Sequence, residues 1–213
     1  MRIIIFGAAG DIGSRVVNEA LNRGHEVTAV VRRESQLASL PEKAKGVVGH
    51  ADQLNDVVKL TAHHDLIISA VRPPQGSESE LVVATQTILE GAANNNIRSL
   101  IVGGAASLKI PGSDHLTVLT APNFLPESIV PIAQACNEQH KMVISHKTSQ
   151  WSYACPPALI RPGTRTGQYR LGSDELLYDE EGNSHISMED FSIALIDEAE
   201  QAKHTNQRFT AAY

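Results

Sequence analysis

Short continuous apolar runs alternate along the chain with segments whose apolar positions recur every three or four residues. Residues 2–6 (RIIIF) form an isoleucine-rich run cut off by glycine, as a strand covered on both faces reads. Ile12, Val16, Ala20 and Leu21 then follow a helical period, and Gly24 marks its end. Residues 27–31 are again continuous and β-branched. Together they predict one βαβ unit with a right-handed crossover. The rhythm continues with a third strand at 46–49, a short helix at 52–61 and a fourth strand at 65–71, closed by Arg72-Pro73-Pro74. An amphipathic helix at 81–93 precedes a fifth strand at 99–102, which runs into Gly103-Gly104. A helix at 131–147 leads to a sixth strand at 152–155.

Strands alternating with helices call for an α/β fold, a doubly wound parallel sheet of the Rossmann type. With no internal repeat and no linker, residues 1–213 are expected to form one nucleotide-binding domain. Two stretches, 109–128 and 161–187, show no clean period and are rich in Gly, Pro, Ser and Thr. Irregular segments beyond strand ends are where such folds bind substrates. Within the second, Asp179-Glu180-Glu181-Gly182-Asn183 reads as a solvated turn between two short strands, and Trp151 reads as core.

Between the first strand and helix lies Gly7-Ala8-Ala9-Gly10-Asp11-Ile12-Gly13, a GxxGxxG spacing. The first glycine permits a tight turn, the second lets backbone approach a pyrophosphate, and the third allows close helix-to-strand contact. The phosphate would then meet the free amides and positive dipole end of the helix. The flanking strand, helix and second strand supply the context that this motif requires. At the end of the second strand an NAD site normally carries an acidic residue, whereas this chain has Val30-Val31-Arg32-Arg33. Two guanidinium groups there suit a 2′-phosphate, which favours NADP over NAD as the cofactor. Asp52, after the third strand, is expected beside the adenine, in a position that also suits a helix N-cap.

The chain has 213 residues, of which 42% are hydrophobic and 20% charged, with a formal net charge of -6. Such a balance gives no electrostatic grip on nucleic acid. Only Cys136 and Cys155 could form a disulfide, and they are not a CxxC pair, so reduced thiols are expected. Met1 runs almost directly into the glycine loop, and no apolar run approaches the roughly 20 residues needed to span a bilayer. A cytoplasmic protein that does not enter membranes is therefore expected. Its histidines show no zinc-ligand spacing, so no metal site is expected.

GAAGDIG, VVRR, ISAVRPP, IVGGAASL, PPALIRPGTRTGQYRLG and HTNQRFTAAY together make the chain resemble atypical short-chain dehydrogenase/reductases. It is most similar there to NAD(P)H-dependent flavin reductase-like proteins, relatives of biliverdin reductase B and of NmrA-like proteins. GTRTGQYRLG and NQRFTAAY are the narrow motifs in this set. The resemblance implies that Gly7, Ala9, Gly10, Asp11 and Ile12 meet the pyrophosphate, and that Arg32 and Arg33 meet the 2′-phosphate. Ala70, Val71 and Arg72 would line the cofactor, Gly104, Ala105 and Ala106 would flank the nicotinamide ribose, and His140 with Pro156-Pro157 would close the nicotinamide end.

The departures bear on the reaction. No tyrosine has a lysine four residues on, so the acid used by standard short-chain dehydrogenases is missing. Biliverdin reductase B has a serine and a histidine where this chain has Ala106 and Ala158, which argues against a tetrapyrrole role. Ser107 and His140 are the remaining candidates for polar assistance. Flavin or quinone reduction survives these losses, because the cofactor supplies the chemistry and the protein supplies orientation. The expected function is hydride transfer from NAD(P)H to a flavin, quinone or similar planar acceptor, by a monomer or homodimer. The alternatives are a non-catalytic NAD(P)-binding redox sensor and an epimerase- or dehydratase-like protein.

Overall fold

The computed structural model describes residues 1–213. The chain runs β1 (Arg2–Phe6), α1 (Asp11–Asn22), β2 (Glu26–Val31), β3 (Lys45–Val48), α2 (Leu54–Thr61) and β4 (Leu66–Ser69). It continues through α3 (Glu80–Asn95), β5 (Arg98–Val102), α4 (Val130–Ser145), β6 (Trp151–Cys155), β7 (Leu159–Arg161) and β8 (Arg170–Gly172). β9 (His185–Ser187), α5 (Met188–Gln201) and β10 (Gln207–Ala212) complete it. An eight-stranded sheet has the order β3-β2-β1-β4-β5-β6-β10-β8, and β7 pairs with β9 in a separate ribbon. Every neighbour in the large sheet is parallel except β8, which runs antiparallel to β10.

Two apolar layers explain why the central strands read as continuous hydrophobic runs. Ile3, Ile5, Leu66, Ile68 and Leu100 pack on one face with residues of α1 and α5. Ile4, Phe6, Ile67, Ile101 and Tyr153 pack on the other with residues of α2, α3 and α4. The alternation of side chains along each strand divides the same run between both layers. Helix ends follow local chemistry. Gly24, at φ +79°, closes α1 with amides of Gly24 and His25 bonded to Leu21 and Ala20 carbonyls. The Ser187 hydroxyl caps α5 by accepting from the Asp190 amide at 3.0 Å. No helix is long and apolar enough to cross a membrane.

The predicted strands and helices through residue 155 are present, with ends displaced by one or two residues. Residues 109–128 are irregular, tied down by isolated bridges from Lys109 to Thr117 and Glu175. Residues 161–187 are more ordered than their composition suggests, since they supply β8, β9 and the end of β7, each three residues long and below the length at which alternation shows. The 179–183 turn forms, with the Asp179 side chain accepting from the amides of Glu181 and Asn183 at 2.9 and 2.7 Å. Its flanking strands do not pair with each other; β8 joins β10 and β9 joins β7. Trp151 is buried in the core, at 5% exposure.

Candidate functional site

The strand order reverses direction between β1 and β4, and a cleft of about 270 Å³ opens at the carboxyl ends of the strands there. Of its 22 lining residues, 14 are hydrophobic, and the polar ones sit mainly on the glycine loop and at the ends of β2 and β4. The loop's geometry follows from its glycines. Gly7 lies at φ +76°, and a Cβ there would stand 2.5 Å from the Ala70 carbonyl oxygen. A Cβ on Gly13 would stand 2.0 Å from the Gly7 oxygen, so this glycine lets α1 approach β1. Gly10 differs, for a Cβ there meets only the Gly7 oxygen, at 3.2 Å, and otherwise faces the cleft.

α1 begins without a side-chain cap, and Ser14 is its first residue with a bonded amide, donating to Gly10 at 2.9 Å. The amides of Asp11, Ile12 and Gly13 have no partner in the chain, which is the arrangement that receives an anion at a helix start. Arg32 borders the same cleft, exposed and in no ion pair, as does Arg72. Uncapped amides, a glycine face open to the cleft and an unpaired guanidinium are features that fit a dinucleotide phosphate chain.

Of the residues singled out from sequence, Gly7, Ala9, Gly10, Asp11, Ile12, Arg32, Ala70, Val71 and Arg72 line this one cleft. Arg33 stands one position outside it, and its amide donates to the Gln36 side chain, which does line it. Asp52 is exposed next to the lining residue Ala51, and it does not cap α2, because Gln53 occupies that position. Gly104 packs behind the lining residue Gly103, where a Cβ would stand 2.8 Å from the Cys136 sulfur. Ala105 and Ala106 form a short turn after it, and Pro156-Pro157 are buried after β6, a few residues before the lining residue Ile160.

Ser107 and His140 both lie outside the cleft lining. The Ser107 hydroxyl accepts from Arg208 at 2.9 Å, and its carbonyl accepts from the same guanidinium at 3.0 Å. His140 stacks obliquely on Tyr153, with ring centroids 5.0 Å apart, and borders a separate groove with Trp151, Asp174 and Arg208. Burial, reinforced by the Arg208 charge, pushes its pKa down to about 4. Cys136, one turn earlier on α4, does reach the cleft; burial pushes its thiol up to about 11, against a small opposing pull from Arg72. Sequence reasoning missed the apolar inner end formed by Val102, Ile132, Ile160 and Met188, because these positions look like ordinary core. No three His, Cys, Asp or Glu side chains come together as a metal site.

The GTRTGQY motif is accounted for by anchoring. The Gly163 amide donates to Glu189 at 2.7 Å, and the Thr164 carbonyl accepts from the Ser187 hydroxyl at 2.9 Å. Arg165 grips Glu19 of α1 with two bonds of 2.9 Å. Buried Asp190 accepts from the Thr166 and Gly167 amides at 2.8 Å and from the hydroxyls of Thr166 and Tyr213 at 2.6 Å. Tyr169 donates to Asp197 of α5. Tyr213 belongs to the other narrow motif, NQRFTAAY, so the two motifs meet at one carboxylate and hold an exposed loop against α1 and α5.

The profile of the NAD(P)H-binding family matches residues 7–201. The uncharacterized protein YwnB of Bacillus subtilis is 33% identical over 99% of this chain and 97% of its own length. A Bacteroides thetaiotaomicron protein with the working description of an epimerase is 39% identical, with a TM-score of 0.91 over 100% of this chain and 96% of that one. SP1627 of Streptococcus pneumoniae, with the working description of an NADH-flavin reductase, is 28% identical, with a TM-score of 0.86 over 100% and 99% of the two chains. The glycine loop, the cleft at the sheet's reversal point and these likenesses agree. The chain belongs to the NAD(P)H-binding family and carries a Rossmann-type, mostly parallel sheet.

Proposed function

We propose that this protein is an NADPH-dependent reductase that delivers hydride to a flavin, quinone or similar planar acceptor. The observation that carries this reading is the inner end of the cleft, built from Val102, Gly103, Ile132, Ile160 and Met188 with the Cys136 thiol among them. A thiol held at about 11 stays protonated near pH 7 and is no thiolate nucleophile. Such an apolar lining suits an acceptor that takes its second proton from water, as reduced flavins and quinones do. When bound, the cofactor supplies one hydride, two electrons with one proton, and the acceptor takes a second proton from solvent. The protein's part is to hold the phosphates on Gly10 and α1, and to shield the transfer with apolar walls. The unpaired thiols of Cys136 and Cys155 accord with a reducing compartment, the cytoplasm.

The test is NADPH oxidation across FMN, FAD, quinones, a tetrapyrrole and an aliphatic ketone. Turnover is expected with a flavin or quinone and not with the ketone. Tight NADPH binding with no turnover on any acceptor would replace this reading with a binding sensor. In the same assay Ser107→Ala and His140→Ala should each keep more than about a tenth of flavin turnover, since general acids contribute about 10²–10⁴-fold and neither residue borders the cleft. A thousandfold loss at either would identify an acid and point to an acceptor protonated as it is reduced.

The unpaired Arg32 carries the preference for NADPH. Replacing Arg32 and Arg33 together by alanine should weaken NADPH about tenfold or more relative to NADH, because charge-assisted bonds are worth roughly 1.5–3 kcal/mol each. Equal losses of both cofactors, read by titration, would detach the arginines from the 2′-phosphate.

A further inference from the structure

Behind the cleft's inner wall runs a continuous chain of buried polar groups. Tyr153, on β6, is fully buried, and its phenol lies under Gly103, where a Cβ would stand 2.1 Å from the ring carbon bearing the hydroxyl. That hydroxyl donates to the Gln139 side-chain oxygen at 2.9 Å and lies 3.1 Å from the Cys136 carbonyl. The Gln139 side-chain NH₂ donates to the Thr85 hydroxyl at 2.8 Å, which donates in turn to the Leu81 carbonyl at 2.8 Å. Gln139 and Thr85 are, like Tyr153, at 0% exposure. The chain therefore crosses from β6 through α4 to α3. It touches the backbone of two cleft residues, Cys136 and Leu81, and packs under a third, Gly103.

Apolar side chains of the same shape would fill this space equally well, so packing alone does not account for the polar atoms. A completed chain in a dry interior has one direction and one length per link, which fixes the elements it joins, whereas a broken one leaves an orphaned donor or acceptor. α4 and α3 both contribute to the cleft wall, so their placement against β5 and β6 sets where that wall stands.

We propose that Tyr153 is a positioning residue, whose hydroxyl, through Gln139 and Thr85, sets the wall against which the nicotinamide ring is oriented. The inference rests on reading the inner end of the cleft as the nicotinamide end. It separates the two ends of the cofactor, because the chain touches Leu81, Gly103 and Cys136 of the lining and makes no bond to Gly10 or Arg32.

The experiment compares binding of NADPH with that of 2′-phospho-ADP-ribose, which has the same phosphates and adenine but no nicotinamide. Tyr153→Phe should weaken NADPH about fivefold, the equivalent of one neutral hydrogen bond, and leave the nicotinamide-free nucleotide within about twofold. Gln139→Met cuts the next link and should show the same split, and it carries the test if Tyr153→Phe does not fold. The double variant should lose little more than the larger single loss, because both changes break one chain. Unchanged NADPH affinity, or parallel loss of both ligands, would reduce Tyr153 to a core residue. Failure of the site reading looks different, since wild-type protein would then bind both nucleotides equally. Failure of the reductase reading would leave the binding split intact with no turnover in any variant.

Discussion

Gly10→Glu is expected to leave a folded protein that no longer binds NADPH. Gly10 sits at φ -81°, ψ 173°, extended backbone open to any residue, and a Cβ there has only one close neighbour, at 3.2 Å. The added carboxylate would project into the cleft where three unpartnered amides converge. It would satisfy those amides itself and repel a phosphate. Losing two charge-assisted bonds corresponds to about a hundredfold or more in affinity, before repulsion is counted. Titration of NADPH, run beside a thermal melt, reads both halves of the prediction. Wild-type affinity in the variant would show that the phosphates lie elsewhere. Gly13 offers no such separation, since its Cβ would strike the Gly7 oxygen at 2.0 Å and disturb the fold itself.

Asp190→Ala should cost more stability than any other single truncation in the exposed loop or its anchors. Its carboxylate takes two amide and two hydroxyl hydrogen bonds in a fully buried position, and alanine leaves all four donors without that acceptor. Removing one side of a buried charged network costs about 3–5 kcal/mol. At about 2–4 °C per kcal/mol for a chain of this size, the melting point should fall by about 10 °C. The loss should depend on pH. Burial pushes the Asp190 pKa up, but the bonds from Thr166, Tyr213 and Gly167 outweigh it and hold the group below its ordinary 3.8. A lowered folded value gives stability that is complete above the unfolded pKa and drains away as pH falls through the folded one. The gap between wild type and variant should therefore be full at pH 7 and narrow only below about pH 4. A gap under about 1 kcal/mol at neutral pH would mean that the loop is held by its other anchors.

The glycine loop and the sheet around it were legible because their causes are local. Strands buried on both faces are continuous apolar runs, and the turn at Gly7 is decided by residues a few positions away. Ser187 with Glu189 and Asp190, followed by Phe191, Leu195 and Ala199, carried a comparable signal for α5 that the reading of the sequence passed over. β8 and β10 were harder, since RLG is too short for a period and QRFTAA mixes polar with apolar positions. The roles of the narrow motifs were not legible at all. Arg165 meets Glu19 across 146 positions and Arg208 meets Ser107 across 101, and no spacing rule reaches that far. His140 shows a subtler limit. Its i,i+4 relation to Cys136 puts both on one side of α4, but not how far down the sheet each one sits, and only Cys136 is high enough to reach the cleft.

β10 stands between β6 and β8 although it follows both in the chain. During synthesis, then, β6 and β8 leave the ribosome as unsatisfied partners and wait for the strand that joins them. Until it arrives, the β6 edge presents free amides and carbonyls, with buried residues such as Tyr153 and Cys155 beside them. Such a half-built sheet is open to pairing with another nascent chain, and the interval of exposure grows with the 51 positions that separate Cys155 from Asn206. The bonds of Arg165 to Glu19 and of Thr166 to Asp190 do not need Tyr213, so they can form in that interval and shorten the effective search.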